Sequence, residues 1–166
     1  MPAANLDKLF HDTLRDVYYA ERKALQALKK QARAAQSPEL KQAFETHREE
    51  TEGQIERLQR VFETISKRPQ GKTCAAMDGI VEEAEEIMEE YKGSPALDAG
   101  LLGAAQAIEH YEIARYGTLA AWARQLGNAD AERLLRETLA EEEKTDKLLT
   151  DLAESTINAA AEQQAA

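Results

Sequence analysis

Shifted by 91 residues, the second half of this chain lies over the first. Val17 falls on Ile108, Glu21 on Glu112, Leu28 on Leu119, Phe44 on Leu135, Thr51 on Glu142 and Leu58 on Leu149. The turn residue Ser37 falls on Asn128. Apolar positions and helix caps coincide together, so the match is a duplicated unit and not an accident of composition. Within each copy the apolar residues recur every three or four positions, the period of one helix face. Such a chain is expected to fold as two similar helical hairpins related by a pseudo-twofold axis.

The punctuation of the sequence sets the helix bounds. The first long helix is expected from Asn5 to Ala35, on a stripe of Leu6, Phe10, Leu14, Val17, Glu21, Leu25 and Leu28. Ser37-Pro38-Glu39 then supplies an N-cap, a proline at the first helical position and an acid in the first turn. The second helix runs to Lys67, with Phe44, His47, Thr51, Ile55, Leu58, Phe62 and Ile65 inward, until Arg68-Pro69-Gln70-Gly71 breaks it. The connection from Lys67 to Ser94 contains a short amphipathic helix. Met77, Ile80, Val81, Ala84, Ile87, Met88 and Tyr91 form one face of it, and Glu82, Glu83, Glu85, Glu86, Glu89 and Glu90 the other. Gly93 ends that helix, and Ser94-Pro95 starts a third long helix from Pro95 to Leu126. Gly127 closes it, and Asn128 caps a fourth, Ala129 to Ile157. Residues 158–166 read as a tail of frayed helix or disorder. The expectation is an all-α fold: one domain over residues 1–157, with a crossover at 67–94. Two hairpins joined by a long connection form the ferritin-like four-helix bundle topology. The crossover can reach: about 15 helical residues give ~22 Å at 1.5 Å each, and the remainder extends at ~3.3 Å each.

The charge balance narrows the partners. There are 31 acidic and 21 basic residues, a net charge of −10, which argues against nucleic acid as the main partner. No apolar run approaches the roughly 20 residues needed to span a bilayer. Met1 to Leu6 has neither a basic n-region nor an apolar h-region, so a cytoplasmic location is expected. The single cysteine, Cys74, has no partner for an internal disulfide. It is either a redox sensor, if exposed, or a small buried packing residue.

Hairpin geometry places a set of acids at one height. Antiparallel partners lie level when they are equally far from their turn. Glu21 and Thr51 are equidistant from a turn at Gln36, and Glu112 and Glu142 from a turn at Gly127. Glu21, the Glu50–Thr51 turn, Glu112 and Glu142 therefore share a level, on or beside the inward stripes. Asp146 is one turn beyond Glu142 and three residues from Glu143; Glu109 is one turn before Glu112; His47 is a stripe position one turn before Glu50. An isolated buried carboxylate costs several kcal/mol, and the stripes offer no inward Lys or Arg here. A pair of divalent cations, Mn or Fe, would satisfy such a layer. The candidate ligands are Glu21, His47, Glu50, Glu109, Glu112, Glu142, Glu143 and Asp146. A one-position slip would instead turn several of these acids outward as solvated helix charges. His47 reads as a ligand or as a satisfied core histidine; His110 reads as a surface residue or as one that supports a ligand from behind, and His11 as a surface residue.

These residues resemble the ferritin-like superfamily, and more narrowly the bacterial YciF/YciE-like stress-protein family. The likeness runs from Leu6 to Ala153. It is carried by Asp16-Val17-Tyr18-Tyr19-Ala20-Glu21, by His47-Arg48-Glu49-Glu50-Thr51-Glu52-Gly53-Gln54 and by Cys74-Ala75-Ala76-Met77-Asp78-Gly79. It continues in Glu109-His110-Tyr111-Glu112 with Tyr116-Gly117-Thr118-Leu119, and in Thr138-Leu139-Ala140-Glu141-Glu142-Glu143 with Asp146. Ferritin-like di-metal proteins take one Glu from each of two helices and a Glu-x-x-His from each of the other two. Glu21 and Glu112 match the single glutamates, and Glu109 resembles the additional glutamate of rubrerythrin-like sites. The fourth helix departs, with Glu143-x-x-Asp146; the second departs further, with His47-x-x-Glu50 in inverted order and Gln54 beyond. The resemblance also implies a homodimer.

A carboxylate-bridged pair of Mn or Fe ions passes two electrons to bound peroxide or dioxygen. The expected class is an oxidoreductase, of rubrerythrin or manganese-catalase type, that consumes peroxide or oxidises Fe(II). Tyr18, Tyr19, Tyr111 and Tyr116 lie within about a turn of Glu21 or Glu112, as relay or as packing. Tyr18 is the counterpart of Glu109 under the 91-residue offset, so the two metal positions are not expected to be equivalent. The alternative is a non-catalytic stress-induced bundle that acts through self-association or a protein partner. The acidic crossover helix then serves as an interface; otherwise it is a lid over the core.

Overall fold

The computed structural model describes residues 4–163. The end of the expected tail, residues 164–166, and residues 1–3 lie outside the described residues. The described chain is all helical, with no strand: α1 (Leu6–Ala34), α2 (Pro38–Thr64), α3 (Ala75–Glu90), α4 (Leu97–Gln125) and α5 (Ala129–Leu152). A π-helical turn, Ala153–Ile157, and a last helical turn, Asn158–Ala161, prolong α5. The first part of the expected tail is therefore continued helix, and Ile157 is buried in the core.

Side-chain caps fix most starts. Asn5 accepts a hydrogen bond from the Lys8 amide, Ser37 from Leu40 and Asn128 from Ala131, each satisfying an otherwise orphaned donor. Two expected bounds shift. The second helix stops at Thr64, not Lys67, because Ser66 takes a left-handed backbone (φ 54°) and the Lys67 amide folds back onto the Phe62 carbonyl. The third long helix starts at Leu97, not Pro95, because the Ser94 hydroxyl engages the Ala96 amide in a turn before it.

Helices α1 and α2 form one antiparallel hairpin, α4 and α5 the other. Helix α1 packs on α2 and α4, and α5 packs on α2 and α4. Cross-helix bonds give the directions. Gln36 bonds to Asp98 and Asp16 to Tyr111, so α1 and α4 are antiparallel. Glu50 meets Thr145 and Thr64 meets Asn128, so α2 and α5 are too. Consequently α2 and α4 point the same way, and the chain must return along the full bundle to connect them. Helix α3 makes most of that return. It runs beside α1, tied by Tyr19 to Asp78 and Lys30 to Glu85. Its apolar face, Met77, Val81 and Ala84, is buried, and a row of small residues on α1 (Ala20, Ala24, Ala27) lets it approach. Helix α3 is thus a lid on the α1–α4 face, with its glutamates largely outward.

The core is not continuous. One apolar layer holds Phe10, Leu14, Leu58, Phe62, Leu119 and Leu135. A second holds Leu28, Leu40, Phe44, Leu101, Leu102 and Leu149. Among the buried polar residues, Glu21, His47, Thr51, Gln54, Glu109, Glu112, Thr138 and Glu142 fall between them along the chain, whereas Gln31 falls among the residues of the second layer.

Candidate metal centre

Helical period alone puts these side chains together. Residues 44, 47, 51, 54 and 58 of α2, and 138, 142, 145 and 149 of α5, are buried at spacings of three and four. Glu21 of α1 and Glu109 and Glu112 of α4 complete the layer. Two donor groups result, each with its ligand atoms within 4.8 Å of one another: Glu21, Glu112 and Glu142, and His47, Glu109 and Glu142. Glu142 belongs to both. The first group is all carboxylate and the second includes one imidazole, so the inequivalence expected from the duplicated halves is visible in the donor sets.

The polar atoms of this layer lack ordinary partners. Glu21 Oε2, both oxygens of Glu109 and of Glu142, Glu112 Oε1 and both ring nitrogens of His47 are buried with no hydrogen bond. His47 Nε2 lies 3.0 Å from Glu109 Oε1 and 3.8 Å from Glu142 Oε1. Donor atoms converging without hydrogen bonds suit a divalent cation better than an apolar core. The Tyr116 hydroxyl, itself fully buried, donates to Glu21 Oε1. It turns one oxygen of that carboxylate away and leaves Oε2 free. Thr51 donates to the His47 carbonyl at 2.8 Å and so serves its own helix.

Electrostatics separate the four carboxyls. Burial raises Glu21, Glu109 and Glu112 well above the ordinary range, and the surrounding acids add to it. For Glu142 burial also raises, but Glu109, His47 and Glu112 around it outweigh burial and bring it down to about 2. Tyr116 is raised too, first by burial and then by the facing Glu21 and Glu112.

The other expected ligands stand outside both groups. Glu50 is half-buried on the flank of α2 and accepts from the Thr145 hydroxyl at 3.2 Å. Asp146 is half-buried on the flank of α5, 3.0 Å from Nε2 of the exposed His110 and within reach of Gln106. Glu143 is exposed. His11, expected at the surface, is half-buried edge-on to Phe62, and burial lowers its pKa. Tyr18 also packs edge-on against Phe62. Cys74 is 1% exposed and caps α3 by accepting from the Met77 amide; burial pushes its thiol up. That is the packing reading of this cysteine. Gln54 is a buried neighbour that the expected stripe passed over in favour of Ile55, which is only half-buried; the Gln54 Nε2 donates to Glu141 while Oε1 is unpartnered. Pairing of Arg57 with Glu141 and Thr138 beside it had no signal in the helix pattern.

The bundle and its buried acid layer define a class: helical proteins whose core is interrupted by a carboxylate-rich group able to hold metal. Within that class, residues 5–162 match the domain of unknown function DUF892, and the chain belongs to this family. It is 47% identical to Protein YciF of Escherichia coli K12, over 99% of this chain and all of that protein. The crystal structure of the E. coli stress protein YciF superposes with a TM-score of 0.89, 46% identity and coverage of 94% and 99% of the two chains. YcfI of Rhodopseudomonas palustris gives a TM-score of 0.87 at 43% identity, covering 90% of this chain and 95% of that one. A protein of Xanthomonas campestris at 24% identity shares the fold (TM-score 0.77, covering 95% and 97%). The chain is therefore a YciF-like helical protein. No helix among the described residues is long and apolar enough to cross a membrane.

Proposed function

We propose that this protein is a ferritin-like di-metal protein of the stress-response kind, holding two Mn or Fe ions in its core. The observation that carries the reading is the pair of buried three-donor groups that share Glu142 and have almost no other partners. Glu21 and Glu112 would hold one ion, His47 and Glu109 the other, with Glu142 between. Oxygen-rich donors with a single imidazole favour hard divalent ions over zinc in a thiolate site. Ions so held supply two-electron redox change toward peroxide or dioxygen, or in the oxidation of Fe(II). The chain's own contribution is position and dryness. Tyr116 fixes the Glu21 carboxylate, and the apolar layers on either side keep bulk water out. The reading includes a cytoplasmic homodimer, from the sequence and from the family likeness.

A second reading, a non-catalytic bundle acting by self-association, draws support from α2. There Thr51 stands where the duplicated half has Glu142, which leaves the layer one acid short. Metal content by mass spectrometry, on untagged protein purified without chelator, separates the two. The di-metal reading predicts close to two Mn or Fe per chain, and no more than one in the Glu21→Ala, Glu112→Ala variant with helicity retained. Equal substoichiometric metal in both proteins overturns it and favours the second reading.

A further inference from the structure

The cluster is sealed by its apolar layers, so a cation needs a way in. A cavity among the described residues reaches it. Between α2 and α5 lies a cavity of about 80 Å³, lined by Ala43, His47, Glu50, Lys144, Thr145 and Leu148. Its floor is His47, which is 3% exposed with both ring nitrogens unpartnered. Its rim is at the surface, since Lys144 and Leu148 are exposed. Ala43, Thr46 and Leu148 also line a broader groove beside it. The cavity is large enough to admit water. The cavities beside Phe10 and beside Tyr19 touch no residue of the cluster.

The polar groups along this cavity are ordered by depth. Lys144 stands at the rim, the half-buried Glu50 and the Thr145 hydroxyl face each other below it, and His47 closes the bottom. Thr145 holds one Glu50 carboxylate oxygen in place. A dehydrating divalent cation meets first an acid and a hydroxyl, then an imidazole, each a better ligand for it than the last apolar wall. We propose that this α2–α5 cavity is the route by which divalent cations load the centre, with Glu50 as its attracting group and Lys144 as a brake at the rim. The inference rests on the di-metal reading and adds to it a role for Glu50, which lies outside both donor groups.

The test is the rate of loading, followed with Co(II) alone in stopped flow by the visible absorption of the bound ion. Glu50→Gln should slow uptake severalfold and flatten its dependence on ionic strength, because a steering charge has gone. Lys144→Glu should speed uptake. Ala43→Phe, which fills the wall, should slow it at least tenfold. In all three the final absorption should equal that of the unmodified protein, which also reports that the variants are folded around an intact centre. Rates unchanged in Glu50→Gln and Ala43→Phe, with full final absorption, overturn the route and leave the centre standing. No Co(II) absorption in the unmodified protein overturns the centre itself, and the route with it.

Discussion

Glu142 belongs to both donor groups, whereas its counterpart in the other half of the chain is Thr51, which bonds to its own helix. The two halves of the chain therefore contribute one shared acid at this position and not two. Calorimetric titration of the metal-free protein with Mn(II) should show two ions bound by the native chain, one by Glu112→Gln and none by Glu142→Ala. Two ions retained by Glu142→Ala would show that Glu142 is not shared between them. The pH dependence follows from the same residues. Glu21, Glu109 and Glu112 have folded pKa values raised by burial above the unfolded value of about 4.3. Above that value the unfolded chain has released protons that the folded chain still holds, so rising pH favours unfolding until the folded values are passed. Glu142, held at about 2, acts oppositely: its contribution is present above about 4.3 and is lost as pH falls toward 2. With three groups against one across neutrality, metal-free protein should melt at lower temperature at pH 8 than at pH 5.5. A flat or rising profile would show these carboxyls to be already ionised. Much of the site was legible, because Glu21, Glu112 and Glu142 share both a height and an inward stripe. Glu50, Glu143 and Asp146 illustrate the limit. A residue one position off the stripe is rotated by a third of a turn, onto a flank or into solvent, and height alone does not distinguish these. The contact of Tyr116 with Glu21 has no repeat partner to announce it, since its counterpart is Leu25.

At the level of elements, α3 shows how the crossover is held. It lies so close to α4 that a methyl group on Gly100 would sit 2.6 Å from Ile87 Cγ2. The atom it meets is on a β-branched side chain with little freedom to move. Gly100→Ala should lower stability by about 1–3 kcal/mol, the usual cost of overpacking, and Ile87→Ala in the same chain should recover part of it. Denaturant unfolding measures both; an unaffected Gly100→Ala would mean that α3 is loosely docked. Two residues before Gly100, the Asp98 carboxylate oxygens accept from the Gln36 and Ser37 amides at 2.8 and 2.7 Å. One buried acid of α4 thereby anchors the α1–α2 turn. Sequence punctuation located the helices well because Asn5, Ser37 and Asn128 are caps whose function is local. It misplaced the end of α2 because the left-handed residue there is Ser66 and not a glycine. The bond from Asp98 to the α1–α2 turn was invisible for a different reason: it joins residues 62 apart in the chain, and only the crossover brings them together.

For the molecule as a whole, two apolar layers flank a polar one, and four antiparallel neighbours with a long crossover hold that layer at mid-bundle. A core interrupted in this way is costly unless something occupies the converging donors. Whether metal fills those donors therefore decides what this layer is for. The most direct measurement is anomalous diffraction at the Mn absorption edge, on crystals of the protein grown in Mn(II). The account predicts two peaks on either side of the Glu142 carboxylate, one beside Glu21 and Glu112 and one beside His47 and Glu109. No peak in the bundle, or peaks only at surface acids such as Glu143, would contradict it.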